Sequence, residues 1–232
     1  MTTHPKGGRA RMKPSTILFD VNETLSDMSP MAERFIEAGA PADLAKLWFA
    51  TLLRDGFALT AAGDNGAFAD IGAEALRGLF AGMELARGRE AAVEHVMAGL
   101  AGLGLHEDVP DGVKALKAAG YRLTTLSNGS TQLAENLLSS AGLRESFERL
   151  LSVEDAQSWK PGKAAYEYAA SACGAGTDEL LLVAVHPWDI HGAARAGLGT
   201  AWINRPGGQY PAYFQAPDYT VSGLDELAAA LA

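Results

Sequence analysis

Apolar positions along this chain follow two different rules, and the change from one to the other predicts its architecture. Residues Thr16 to Phe19 form a short apolar run that stops at Asp20 and the polar Asn22, Glu23 and Thr24, as a buried strand does when it reaches an edge. From Met31 to Leu100 the apolar residues recur every three or four positions, as in Leu44, Leu47, Trp48, Thr51 and Leu52. That spacing predicts amphipathic helices over 31–39, 42–54, 65–80 and 88–100. Pro41 and Asp43 mark a helix start, and Gly39, Gly63 and Gly88 stand where helices stop.

After Asp108 the pattern alternates. Helices are expected at 110–119, 131–141, from Lys160-Pro161 to 172, 190–196 and 224–231. Between them lie apolar strand runs at 121–126, 150–153, 180–185, 200–203 and 219–221. Strand–helix alternation over more than a hundred residues predicts a parallel sheet with right-handed crossovers, an α/β fold. The helical block interrupts it directly after the first strand. The expected organisation is therefore a lead-in at 1–14 without structure, a core from 15–28 and 105–232, and a helical cap from 29–104. A bundle entering there lies over the end of the first strand, with its connections near 27–30 and 102–108 as a hinge.

Composition narrows the function. Of 232 residues, 48% are hydrophobic and 20% charged, as in an ordinary globular protein. No window is apolar enough to span a membrane, and residues 1–13 are basic and polar without the apolar stretch of a secretory signal. The single Cys173 permits no internal disulfide, which fits a cytoplasmic location, and its Ala-rich surroundings suit an inert buried thiol. A net charge of −9 with no basic run speaks against nucleic acid as a partner. A small anionic substrate is compatible with it, because one or two placed cations can dominate inside a cleft.

In a parallel α/β sheet the chemistry sits beyond the C-terminal ends of the strands. Four polar groups fall there: Asp20, Ser127-Asn128, Lys160 and Asp189. Each has an ordinary reading, Ser127-Asn128-Gly129 and Asp189 as helix caps and Lys160 as a surface lysine. Together they are consistent electrostatically. Two carboxylates in one cleft raise each other's pKa unless a cation separates them, and Lys160 supplies one that keeps both ionised. An ionised, desolvated carboxylate with no general base beside it is a nucleophile.

Asp20-x-x-x-Thr24-Leu25, Ser127-Asn128-Gly129, Lys160-Pro161 and Asp189 resemble the four ordered motifs of the haloacid dehalogenase superfamily. Within it the chain looks most like the L-2-haloacid dehalogenase (type II) branch. The local matches are Leu150-Leu151-Ser152-Val153, Tyr166 six residues after Lys160, Trp188-Asp189 and Trp202-Ile203-Asn204-Arg205. The resemblance spans nearly the whole chain from Ser15 and implies a Rossmann-like core with an inserted cap. Phosphatases of the superfamily carry Asp two positions after the nucleophile, to protonate an alkoxide; Asn22 stands there, and a halide needs no proton. Those enzymes also carry an acid four residues before the last motif to hold Mg²⁺, where this chain has Val185. The expectation is a reaction without metal or cofactor.

The resemblance then implies a two-step hydrolysis of short 2-haloalkanoic acids. Asp20 displaces the halide from C2 to form an ester, and water attacks the ester carbonyl to release a 2-hydroxy acid. Ser127 and the backbone amides after Asp20, at Val21 and Asn22, would hold the substrate carboxylate. Asn128 would cradle the halide, Thr24 and Lys160 would orient and activate Asp20, and Asp189 would place the water or the lysine. Tyr166 and Trp188 would line the pocket, and a homodimer through the cap is compatible with the family.

Four positions depart from the branch. Phe49 replaces the cap arginine that clamps the halide, and Arg54, later on that helix, is the candidate substitute. His186 stands where an amide should place the hydrolytic water, preceded by Ala184 in place of a serine, and is expected to orient or deprotonate that water. Asn22 also replaces a residue that is commonly aromatic in these dehalogenases. The same residues leave two other readings open: a phosphatase with a degenerate site, and a non-catalytic binding protein on the same fold.

Overall fold

The computed structural model describes residues 13–231. The lead-in expected without structure lies, through residue 12, outside the described residues. The chain begins with β1 (Thr16–Phe19), followed by four helices: α1 (Met31–Ala38), α2 (Leu44–Ala62), α3 (Phe68–Leu79) and α4 (Arg89–Ala101). Alternation then runs α5 (Val109–Ala118), β2 (Arg122–Ser127), α6 (Thr131–Ser140), β3 (Arg149–Ser152), α7 (Val153–Ala156) and α8 (Lys163–Cys173). It continues with β4 (Leu180–Ala184), α9 (Pro187–Ala196), β5 (Gly199–Ile203), β6 (Tyr219–Val221) and α10 (Leu224–Ala230).

All six strands are parallel, in the order β3-β2-β1-β4-β5-β6. The order reverses at β1, which pairs with β2 on one side and β4 on the other. Crossovers therefore leave β1 toward opposite faces, and a crevice opens beyond its C-terminal end. Both faces of the sheet are covered, as the unbroken apolar runs require. Ile17, Phe19, Leu181 and Val183 pack against α5, α6 and α10, while Leu18 and Leu182 pack with α8, α9 and the helical block.

The two connections to the helical block run side by side. Ser26 bridges Leu105 in antiparallel sense, Asp27 N–H donates to Gly104 O at 2.8 Å, and His106 N–H donates to Leu25 O at 3.0 Å. Helix α2 spans the site, and the pattern underestimates it by eight residues. In the fold, Gly56 lies against the Trp159 ring, where a Cβ would come within 2.4 Å of it. Only a glycine admits that ring, and the helix runs on to Gly63, whose φ of +81° closes it.

Other boundaries move for related reasons. Asp43 makes no capping bond to α2, and Ser130 rather than Ser127 precedes α6. Lys160-Pro161 does not open a helix: α8 begins only at Lys163, which leaves Lys160 on the loop. Helix α9 begins at Pro187 instead of Ile190, so Asp189 sits in its first turn with its carboxylate free for tertiary bonds.

Candidate active site

The chain turns sharply after β1. Leu25 and Ser26 both donate to Val21 O, and Glu23 adopts a left-handed φ of +61°. A non-glycine residue there costs on the order of 1 kcal/mol, so the surrounding contacts must over-determine the turn. Two contacts do so: the Thr24 hydroxyl returns to Asp20 Oδ2 at 2.7 Å, and the Glu23 carboxylate meets His186 Nε2 at 2.8 Å.

Asp20 is buried and every partner it has is charged or polar. Lys160 Nζ donates to Oδ1 at 2.8 Å, while Thr24 Oγ1 and His186 Nδ1 reach Oδ2, the latter at 3.1 Å. Val185 N–H donates to Thr24 Oγ1, so the threonine proton is committed to Asp20. The Lys160 ammonium, itself fully buried, also donates to Asp189 Oδ2 at 2.7 Å. Asp189 Oδ1 takes the Tyr166 hydroxyl at 2.6 Å. Asn128 Oδ1 accepts from Lys160 N–H at 3.0 Å and its amide reaches Lys160 O at 3.4 Å, which holds the lysine backbone in place.

The charges settle unequally. Burial pushes Asp20 up, but the Lys160 ammonium and the His186 bond outweigh it and hold the carboxyl well below the usual range. Burial also raises Asp189, and the attraction of Lys160 does not overcome that and the repulsion from Asp20, so its pKa lies above the ordinary value. One ammonium does not serve both carboxylates alike, because Asp20 has a second cation. Burial lowers Lys160, yet Asp189 and Asp20 together raise it. Burial buries the Tyr166 hydroxyl next to Asp189 as well, and its pKa rises well above normal.

His186 is the second cation. Burial lowers its pKa, but bonds to Asp20 and Glu23 on its two ring nitrogens push it up to about 9. A pKa of about 9 makes it an imidazolium at neutral pH, a donor on both ring nitrogens. A raised pKa stabilises the fold fully below pH 6.5, and that stability is lost as pH rises through 9. Urea unfolding of the wild type is expected to weaken over that interval, and His186→Phe should lack the slope.

Above Asp20 the wall is aromatic. Trp188 stacks on His186 at 4.9 Å and meets Phe57 of α2 at 4.9 Å, while Phe49 of α2 lies 6.5 Å from the His186 ring. Trp159 N–H bonds Thr60 Oγ1, its indole N–H bonds Gly66 O, and its ring stacks on Phe68. The helical block is thus pinned over the strand ends by side chains from both sides.

Of the residues expected from sequence, Asp20, Thr24, Lys160, His186, Asp189 and Tyr166 form one connected network. Val21 and Asn22 follow the nucleophile, and among the described residues their amides donate to no protein group. Ser127 Oγ accepts from Gly129 N–H at 2.8 Å, which leaves its own proton to donate. Trp188 and Phe49 line the wall. Tyr166 lies wholly beneath it, bonded to Asp189. Asn128 is engaged with the Lys160 main chain, so the geometry gives it a scaffolding contact.

Arg54 is not brought to the site. Five residues along a helix from Phe49 turn it well away from that side chain, and it is 70% exposed and paired with Asp55 in a groove between α2 and α3. The residue that the sequence reading passed over is Glu23. Its signal was a carboxylate three residues after the nucleophile, which acquires meaning only once His186 is seen to stand opposite it.

No group of three or more His, Cys, Asp or Glu suited to a metal ion occurs among the described residues. Asp20 and Asp189 are both committed to Lys160, and the nearby Val185 side chain offers no oxygen, so this donor set does not fit a hard cation.

The profile of haloacid dehalogenase-like hydrolases matches residues 14–197. A (S)-2-haloacid dehalogenase of Pseudomonas sp. (strain YL) is 42% identical over 117 residues, half of this chain and half of that protein. The (S)-2-haloacid dehalogenase 4A of Burkholderia cepacia is 30% identical over 213 residues, 90% of this chain and 91% of its own length. A crystal structure of an L-2-haloacid dehalogenase superposes with a TM-score of 0.87 at 29% identity, covering 95% of this chain and 99% of the other.

Proposed function

The chain belongs to the haloacid dehalogenase-like hydrolases, and from that premise we propose that it hydrolyses short 2-haloalkanoic acids to 2-hydroxy acids without a metal. The observation that carries the reading is the state of Asp20: a buried, ionised carboxylate bonded to an ammonium and an imidazolium under an aromatic wall. Such a group attacks carbon well, because little hydration must be stripped from it.

In the first step an Asp20 oxygen bonds to C2 and the halide departs in line with the bonding pair. In the second, water attacks Cγ of the ester and Asp20 is regenerated. Ser127 and the amides of Val21 and Asn22 are the donors for the substrate carboxylate. Trp188, Phe57 and Phe49 exclude water from the displacement. Asn22 beside the nucleophile cannot supply the proton that an alkoxide leaving group requires. The relatives' names favour the (S) enantiomer. We place the enzyme in the cytoplasm, with the free thiol of Cys173 in support, and as a homodimer by likeness to the family.

Halide release from L- and D-2-chloropropionate in chelator-treated buffer tests the proposal. Release from the L form, undiminished by the chelator, is the expected result. Magnesium-stimulated phosphate release from an aryl phosphate, with no halide from either haloacid, would overturn it.

A further inference from the structure

The two oxygens of Asp20 are not equivalent. Oδ2 accepts two hydrogen bonds, from Thr24 and His186, whereas Oδ1 accepts one, from Lys160. A carboxylate oxygen has two in-plane lone pairs, so Oδ1 retains one for carbon and Oδ2 does not. Alkylation at Oδ1 leaves Oδ2 as the carbonyl oxygen of the ester, already facing two donors. We propose that His186, held in place by Glu23, is the oxyanion donor of the ester-hydrolysis step, acting on Asp20 Oδ2 together with Thr24. The inference rests on the dehalogenase reading above.

The geometry meets the requirements for such a donor. His186 Nδ1 lies 3.1 Å from Oδ2, and Thr24 Oγ1 lies 2.7 Å from it. The Glu23 carboxylate takes the other ring nitrogen at 2.8 Å, which keeps both nitrogens protonated and fixes the ring plane. The rings of Trp188 and Phe49 pack against the imidazolium, so Asp20 and Glu23 are the charged groups that face it. A preorganised donor in a water-poor site acts on the charge that develops in the transition state and needs no reorganisation.

The step balances as follows. The water oxygen bonds to Cγ while the carbonyl π pair moves onto Oδ2, and one water proton passes to Asp189. The adduct then collapses and breaks Cγ–Oδ1. The departing 2-hydroxy acid oxygen takes a proton from Lys160, which bridges Asp189 and Oδ1, and Asp189 restores it. The second water proton is lost to solvent as Asp20 ionises again.

Rapid-quench turnover with L-2-chloropropionate tests the assignment. His186→Phe keeps an aromatic ring in the wall but removes the donor. It should still release a burst of one halide per site, then stall, with ester hydrolysis slowed roughly 10²–10³-fold and the alkyl adduct on Asp20 visible by mass. His186→Asn places a neutral N–H near the position of Nδ1 and should recover part of the loss. Glu23→Gln should slow ester hydrolysis a few-fold and move its alkaline limb to lower pH, because His186 loses one of the two carboxylates that hold its proton. Wild-type ester hydrolysis in His186→Phe, or an unmoved profile in Glu23→Gln, would overturn the assignment and leave the dehalogenase reading intact. A wild type that releases no halide overturns that reading and this one with it.

Discussion

Asp20→Asn is expected to stop halide release, by about 10⁴–10⁶-fold, while the protein remains folded. An amide has no anionic oxygen to bond to carbon, so no ester forms and nothing remains for water to cleave. The fold tolerates the change because Lys160 keeps Asp189 and His186 keeps Glu23 as partners. The amide nitrogen would face the Thr24 hydroxyl and His186 Nδ1, both donors to Asp20 in the wild type. His186 relieves that conflict by losing its proton, and its pKa should fall from about 9 toward the ordinary histidine value. NMR titration of His186 in this variant, together with a halide electrode, separates a lost nucleophile from a lost fold. Halide release at even a few per cent of the wild-type rate would show that Asp20 is not the attacking group.

Lys160→Met should damage both activity and stability. The ammonium is fully buried between Asp20 Oδ1 at 2.8 Å and Asp189 Oδ2 at 2.7 Å, and methionine has a similar volume without the charge. Two carboxylates are then left in one buried cleft with no cation between them, a loss of about 3–5 kcal/mol near neutral pH. The sign with pH is opposite to that of the wild-type site. With Lys160 present, Asp20 has a lowered pKa, and its stability contribution is present above pH 3.8 and lost as pH falls through the folded value. Without Lys160, Asp189 has no cation beside it and binds its proton more tightly in the fold than in the unfolded chain, while Asp20 keeps only His186 and Thr24. The deficit of the variant should therefore be greatest at neutral pH and shrink below about pH 4. Urea unfolding at pH 4 and pH 8 measures it, and an equal deficit at the two would contradict the pairing. Turnover should fall by roughly 10²–10³-fold, since the donor that orients Asp20 Oδ1 and bridges it to Asp189 is gone.

Much of this site is legible before any coordinate is seen. Asp20, Ser127 and Asp189 come at or after the ends of apolar runs and Lys160 precedes Pro161, and parallel alternation leaves only one edge where such positions meet. The apolar strands Thr16–Phe19 and Leu180–Ala184 are central for the same reason. Helix ends were less legible. Gly63, where α2 ends, was visible as a stop, whereas the close approach of the Trp159 ring to Gly56, more than a hundred residues away along the chain, was not. Arg54 failed as the substitute clamp because helix rotation, not distance along the chain, decides which side chains of α2 face the site.

His186 shows where the boundary lies. Its place next to a strand end was visible as a departure from the family pattern, and so was the chance that it served the water step. Its charge was not. Protonation depends on Asp20 and Glu23 both lying within 3.1 Å of the ring, and Glu23 reaches it only through the left-handed turn after β1. The order of elements, the parallel sheet and the four groups at its edge follow from local pattern, because apolar spacing and chain breakers act over a few residues. Which oxygen of Asp20 is left for carbon, and which side chains carry charge beside it, follow only from tertiary structure, because hydrogen bonds join groups such as Asp20 and His186 that lie 166 positions apart in the chain.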